Sequence, residues 1–113
     1  TLVVLRAPCP SVPQYFSTAT SFCNEQLWGT LSCTVILHPD VEAEHPEASQ
    51  KMLDDLQYGA VVVNAWSALS YALPGTVWGA FAGDQTLDNV GSGIGQIGNS
   101  WLFDHPQKAV LKL

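Results

Sequence analysis

The run Ala60-Val61-Val62-Val63, reached through Tyr58-Gly59 and left at Asn64, is the feature that most limits what this chain can fold into. Its residues are small or β-branched and none is polar, so neither side of the run suits water. The pattern therefore predicts a strand covered on both faces. A strand of that kind needs other strands beside it and helices packed on the sheet, the layered arrangement of an α/β domain.

The flanking periodicities supply those layers. Val12, Tyr15, Phe16, Ala19, Phe22, Cys23 and Leu27 recur at helical spacing. Ser11 suits the N-cap, Pro13 the first turn and Gly29 a left-handed close, so a helix is expected over about Pro13 to Leu27. From Thr30 to Leu37 the pattern becomes nearly continuous and apolar, as in a strand covered on both sides, and His38-Pro39-Asp40 ends it. Val41 to His45 reads as an acidic surface loop. Pro46 then opens a second helix, with Ala48, Met52 and Leu56 on one face and Glu47 with Lys51 as an outward pair, closed by Gly59. At the amino end Leu2-Val3-Val4-Leu5 reads as a short strand.

Beyond Asn64 the regularity fails. Ala65 to Gly91 mixes Trp66, Tyr71, Trp78 and Phe81 with Pro74-Gly75, Gly79 and Gly83, too long a stretch for a plain connector. A glycine-weakened helix is expected around Ser92 to Phe103, and Lys108 to Leu113 alternates as a half-exposed strand does. The expected fold class is α/β, a partial and mostly parallel sheet with crossover helices. A length of 113 residues suits one compact domain.

The charge balance excludes some functions. A net charge of −6, with Arg6, Lys51, Lys108 and Lys112 scattered along the chain, leaves no cationic footprint for a phosphate backbone, so no nucleic acid is expected. No apolar run approaches the roughly 20 residues of a membrane span. Only 12% of residues are charged while 47% are apolar, which points to a second surface buried on a protein partner or another copy. Cys9, Cys23 and Cys33, spaced 14 and 10 apart, match no zinc or redox pattern and read as reduced thiols of an intracellular, reducing compartment. The start at Thr1 instead of Met implies a processed form or a piece of a longer protein.

Candidate chemistry is sparse. Gly93-Ile94-Gly95-Gln96-Ile97-Gly98 fits G-x-G-x-x-G, but a dinucleotide loop needs a strand before it, a crossover helix after it and an acidic residue about 20 positions on. No metal site is implied by His38, His45 and His105, which stand at element ends and read as capping or exposed residues. Asp54-Asp55 suits a solvated helix face, and Asp84 with Asp88 suits helix capping. The aromatics Trp66, Tyr71, Trp78 and Phe81, beyond the carboxyl end of a strand, suit either an apolar tunnel or a core.

Taken in order, several segments resemble the carboxyl-terminal part of the aldehyde dehydrogenase superfamily. Phe22-Cys23-Asn24-Glu25-Gln26-Leu27-Trp28-Gly29-Thr30-Leu31 is similar to its A-N-x-x-x-Y-G-L segment, and Leu56 to Asn64 to its L-x-x-G-x-V-x-V-N strand. Trp78-Gly79-Ala80 with Ser92 to Gly98 resembles P-F-G-G-x-K-x-S-G-x-G-R-E-x-G with an enlarged gap, and Lys108-Ala109-Val110 resembles the terminal K-x-V strand. The family's lysine after Phe-Gly-Gly is missing, and Gln96 and Ile97 replace Arg-Glu.

The resemblance implies a partial catalytic domain over 1–107 and a terminal oligomerisation strand over 108–113. It also implies a substrate tunnel shaped by Asn64, Trp66, Tyr71 and Trp78, and oligomer contacts through Lys108, Val110 and Lys112. The family's nucleophile, general base and NAD- or NADP-binding domain lie upstream of these motifs. No catalytic residue and no cofactor is therefore expected of this chain alone. It is expected to serve as the carboxyl-terminal segment of such an enzyme, or as a truncated, non-catalytic structural subunit of a larger assembly.

Overall fold

The computed structural model describes residues 2–4, 6, 8–83 and 85–113. Its elements make an α/β fold in two units, one from the amino-terminal residues through Trp28 together with His38–Leu56, the other Gly29–Leu37 with Gln57–Leu113.

The first unit is helical. Helix α1, Val12–Gln26, starts where Ser11 Oγ accepts a hydrogen bond from the Gln14 N–H at 3.4 Å, with Pro13 in the first turn, close to the expected bounds. It ends in an extended Leu27, so Gly29, although at φ +102°, lies beyond the cap and does not close the helix. Residues 41–45 differ from the expected loop: Pro39–Glu44 form a short helix, α2. His38 caps it, its Nδ1 accepting from the Asp40 N–H at 3.2 Å, and Asp40 and Glu42 favour the positive end of its dipole.

Helix α3 spans Pro46–Asp55. It buries Met52, with Leu56 at its C-cap also buried and Ala48 half-buried as expected, and it adds Ser49 and Leu53 to that face. The expected ion pair changes partner. Lys51 meets Asp55 at 2.8 Å instead of Glu47, on the exposed side. Helices α1 and α3 pack together in the same sense, Pro13 lying near Pro46, and Asn24 Nδ2 donating to the Asp55 carbonyl at 2.9 Å.

The second unit is built on a three-stranded parallel sheet, ordered β1-β2-β5. Strand β1 is Ser32–Val35, β2 is Ala60–Val63 and β5 is Ala109–Lys112. Ser32, Ala60 and Ala109 stand in register at one end, and Val35, Val63 and Lys112 at the other. The β2 residues are all buried, as the unbroken apolar run requires, and each valine contributes about 1.5–3 kcal/mol by leaving water. Leu37, Tyr58, Val77 and Ala80 complete this core.

The remainder of the second unit is irregular, with a short helix α4 (Leu69–Ala72) and a two-stranded antiparallel ladder of β3 (Trp78–Gly79) and β4 (Gln96–Ile97). The helix expected over Ser92 to Phe103 is replaced by β4 and turns. Gly93, Gly95 and Gly98 all have positive φ, which no right-handed helix contains. At the amino end Leu2, Val3 and Val4 are exposed and form no strand, while Leu5, also in the expected strand, lies outside the described residues. No helix among the described residues is long and apolar enough to cross a membrane.

Candidate functional site

At the amino end of the sheet, backbone packs directly on backbone. The Gly59 N–H donates to the Thr30 carbonyl at 2.9 Å, and the Phe81 N–H donates to the same oxygen at 3.0 Å. Thr30 N–H in turn donates to Ser92 Oγ at 2.8 Å, and the Gly59 carbonyl accepts from Ala109 N–H at 2.9 Å. A Cβ on Gly59 would fall 1.7 Å from the Gly79 carbonyl oxygen, and one on Gly79 would fall 2.7 Å from the Gly95 oxygen. Gly59 is thus needed for close approach and not to end α3, which stops at Asp55. The helical reading failed because the demand comes from residues 20 positions away.

At the carboxyl end, Asn64 has φ +60°, a conformation that asparagine tolerates better than most residues. Its side chain brackets Leu37: Oδ1 accepts from the Leu37 N–H at 2.8 Å and Nδ2 donates to the Leu37 carbonyl at 2.9 Å. Asn64 N–H donates to Val35 O at 2.8 Å, so the amide extends the β1–β2 pairing past its last ladder position. Ser67 then turns the chain over β1, its N–H donating to Thr34 Oγ1 at 3.1 Å and its hydroxyl meeting Ser32 Oγ at 3.2 Å.

The aromatics expected to act together divide. Tyr71 on α4 and Trp78 on β3 are in contact, with ring centroids 4.7 Å apart and planes tilted by 52°. That pair is worth about 0.5–1.5 kcal/mol beyond its burial. Trp66, 74% exposed, stands apart from them.

A cleft of about 360 Å³ opens elsewhere in the second unit, lined by Ala80, Ala82, Gln85, Gly95 and His105 among others. Its walls are held by side-chain amides. Gln85 Nε2 donates to Phe81 O at 2.6 Å while its Oε1 accepts from Gly83 N–H at 2.9 Å, and Gln96 Nε2 reaches Gln107 O at 3.3 Å. His105, one of the lining residues, has φ +50°. Sequence reasoning missed Ala82 and Gln85. The cluster of glycines marked this segment as a loop, but which loops converge depends on contacts far apart in sequence.

The glycine motif has no crossover helix after it. Its last member, Gly98, instead lets β4 pass beside β3, where a Cβ would lie 2.4 Å from Thr76 O. Among the described residues no three His, Cys, Asp or Glu side chains are grouped to hold a metal. Asp54 accepts from Gln50 Nε2 and Asp55 from Lys51, so this acidic pair sits on a solvated face as expected; Asp84 lies outside the described residues. The cysteines form no disulfide, and burial pushes the Cys23 thiol up from its usual value. Val110 and Lys112 share one face of β5, which Lys108 immediately precedes, and β5 is an edge strand paired along one edge with β2.

No family model, no curated protein and no solved structure matches the chain.

Proposed function

We propose that this chain is the carboxyl-terminal segment of an NAD(P)-dependent aldehyde dehydrogenase-like protein, contributing substrate-tunnel wall and oligomer contacts without the catalytic groups. The observation that carries the reading is the order of four motif-like segments from Phe22 to Val110, which follows the family's order along nearly the whole chain. In the intact protein a cysteine thiolate from the missing part adds to the aldehyde carbon. Hydride then leaves for the nicotinamide, and water hydrolyses the resulting thioester.

In this reading the Tyr71–Trp78 pair forms one part of the tunnel wall and the exposed Trp66 another, and Asn64 fixes the turn that leads the chain to them. Lys108, Val110 and Lys112 meet another subunit along the edge of β5. The same reading places the protein in a reducing compartment, where Cys9, Cys23 and Cys33 stay thiols. A second reading, a non-catalytic structural subunit of a larger assembly, is favoured by the many large apolar side chains left exposed, among them Trp28, Ile36, Leu87 and Leu113.

Intact-mass measurement of the native polypeptide separates them. A chain of several hundred residues with a nucleotide-binding domain upstream supports the first reading. A stable 12.2 kDa species held in a complex, with no aldehyde oxidation, supports the second and overturns the first.

A further inference from the structure

Residues 94–103 carry an unusual concentration of exposed apolar side chains: Ile94 at 55%, Ile97 at 59%, Trp101 at 72%, Leu102 at 83% and Phe103 at 58%. The turn that carries the last three is held in one shape. Asn99 Oδ1 accepts from the Phe103 N–H at 2.9 Å, its Nδ2 donates to the Phe103 carbonyl at 2.9 Å, and its own carbonyl accepts from Leu102 N–H at 3.2 Å. Trp101 rests against Gly75, where a Cβ would lie 2.3 Å from its Nε1.

Leu102, the most exposed of the five, has φ +55°. A leucine there costs backbone strain that glycine or asparagine would relieve, and gains no burial in return. The left-handed conformation closes the turn, but neither the use of a leucine there nor its exposure serves the fold of this chain. Both are accounted for if Leu102 is buried elsewhere.

The geometry points to a second copy of this chain as the occupant, with the Trp101–Leu102–Phe103 turn of each copy seated in the other's cleft. The cleft of about 360 Å³ has room for a leucine side chain, and residues 93–96 and 105–106 of its wall flank the turn on either side in the chain. The projection and most of the recess are therefore carried by one segment, with residues 80–85 completing the recess, which suits a two-fold, self-complementary contact. The five side chains expose on the order of 600 Å², as much as the largest patch of a typical monomer. Covering them in both copies removes about 1,200 Å², the lower end for a specific interface. The inference is independent of the aldehyde dehydrogenase reading and uses a surface other than β5.

Sedimentation equilibrium of the full chain, in about 0.15 M salt to screen the charge of −6, reads the association directly. A dimer is expected. Leu102→Asn keeps the left-handed turn and should weaken the dimer by about a hundredfold, because the lost side chain counts twice in a two-fold contact. Ala82→Trp, which places a large side chain on the exposed lining of the cleft, should weaken it similarly. An equimolar mixture of the two variants should recover partial association, since one knob and one cleft remain intact.

Circular dichroism and thermal midpoints establish that each variant is folded; an unfolded one is replaced by Phe103→Ser for the knob or Ala82→Leu for the cleft. A wild-type chain that stays monomeric throughout overturns the inference. So does a dimer that Leu102→Asn weakens but Ala82→Trp does not, because the patches then meet face to face.

Discussion

Replacing Gly59 by alanine puts a methyl carbon 1.7 Å from the Gly79 carbonyl oxygen, 2.8 Å from its carbon and 3.0 Å from the Ala80 carbonyl carbon. All three obstacles are main chain, so no rotamer change relieves them. Ordinary contact needs β3 to retreat by about 1.5 Å, and overpacking a core in this way costs typically 1–3 kcal/mol. The retreat also strains the bond from Phe81 N–H to the Thr30 carbonyl, the acceptor that Gly59 N–H shares. Losing it adds about 1 kcal/mol.

The expected destabilisation is therefore about 2–4 kcal/mol, against a total stability of about 5–15 kcal/mol for a domain of this class. In a thermal melt this lowers the midpoint by roughly 10–20 °C. Gly83→Ala is the matched control, since the nearest atom to its Cβ is 3.9 Å away and its φ is not positive. It should change stability by less than about 1 kcal/mol. Urea unfolding of the two variants tests the contrast. Equal midpoints would refute the backbone packing between Gly59 and Gly79.

Ser49 is fully buried and its hydroxyl has no hydrogen-bond partner among the described residues, so Ser49→Ala should stabilise the chain by about 1 kcal/mol in the same urea assay. Asn64→Ala should cost about 2–3 kcal/mol, because it removes both bonds to Leu37 and leaves a strained φ of +60°. Asn64→Gly loses the same bonds without the strain and should recover about 1 kcal/mol of that loss, which paired unfolding curves would detect. Burial raises the Cys23 thiol, and the hydrogen bond to Asp55 raises the Lys51 ammonium. Both groups hold their protons more tightly when folded, so their contributions are intact below the unfolded values and are lost as alkaline pH rises through the folded ones. Stability measured against pH should fall on that limb, and Cys23→Ala should flatten it.

Local periodicity made some elements legible and distance in sequence hid the others. Helix α1 has an apolar spacing of helical period and strand β2 a β-branched run flanked by glycine, and Ser11 with Pro13 marked where α1 begins. The tail was legible for the same reason, with Ala109 and Leu111 half-buried and Val110 and Lys112 exposed on alternate sides of β5. The short α2 escaped because histidine is an uncommon cap and its apolar residues are too few to show a period. Gly59 misled because a glycine after a helical pattern ordinarily marks the helix end, while its demand here comes from Gly79. At the candidate site, aromatic residues on one irregular stretch could be recognised as a set. Which of them would meet was decided by the path of that stretch, which brings Tyr71 to Trp78 and leaves Trp66 in solvent.

The two ends of β2 are pinned by different chemistry, and that difference bears on where a ligand can be met. The amino end is closed by stacked main chain at Gly59 and Gly79, which leaves no room even for a methyl group. The cleft lined by Ala80 and Gly95 belongs to the loops of the amino end, whereas in the proposed function a substrate reaching β2 itself would come to the carboxyl end, the usual side for crevices in parallel sheets. There Asn64 has an amide with two donor hydrogens and two acceptor lone pairs, and Leu37 occupies one of each. One donor and one acceptor remain for a ligand, but rotating the amide to use them breaks the bracket on Leu37. A direct polar contact is thus confined to the orientation the bracket allows. Asn64 would act on a substrate chiefly by fixing where the chain leaves β2, and the apolar contact would fall to Tyr71 and Trp78.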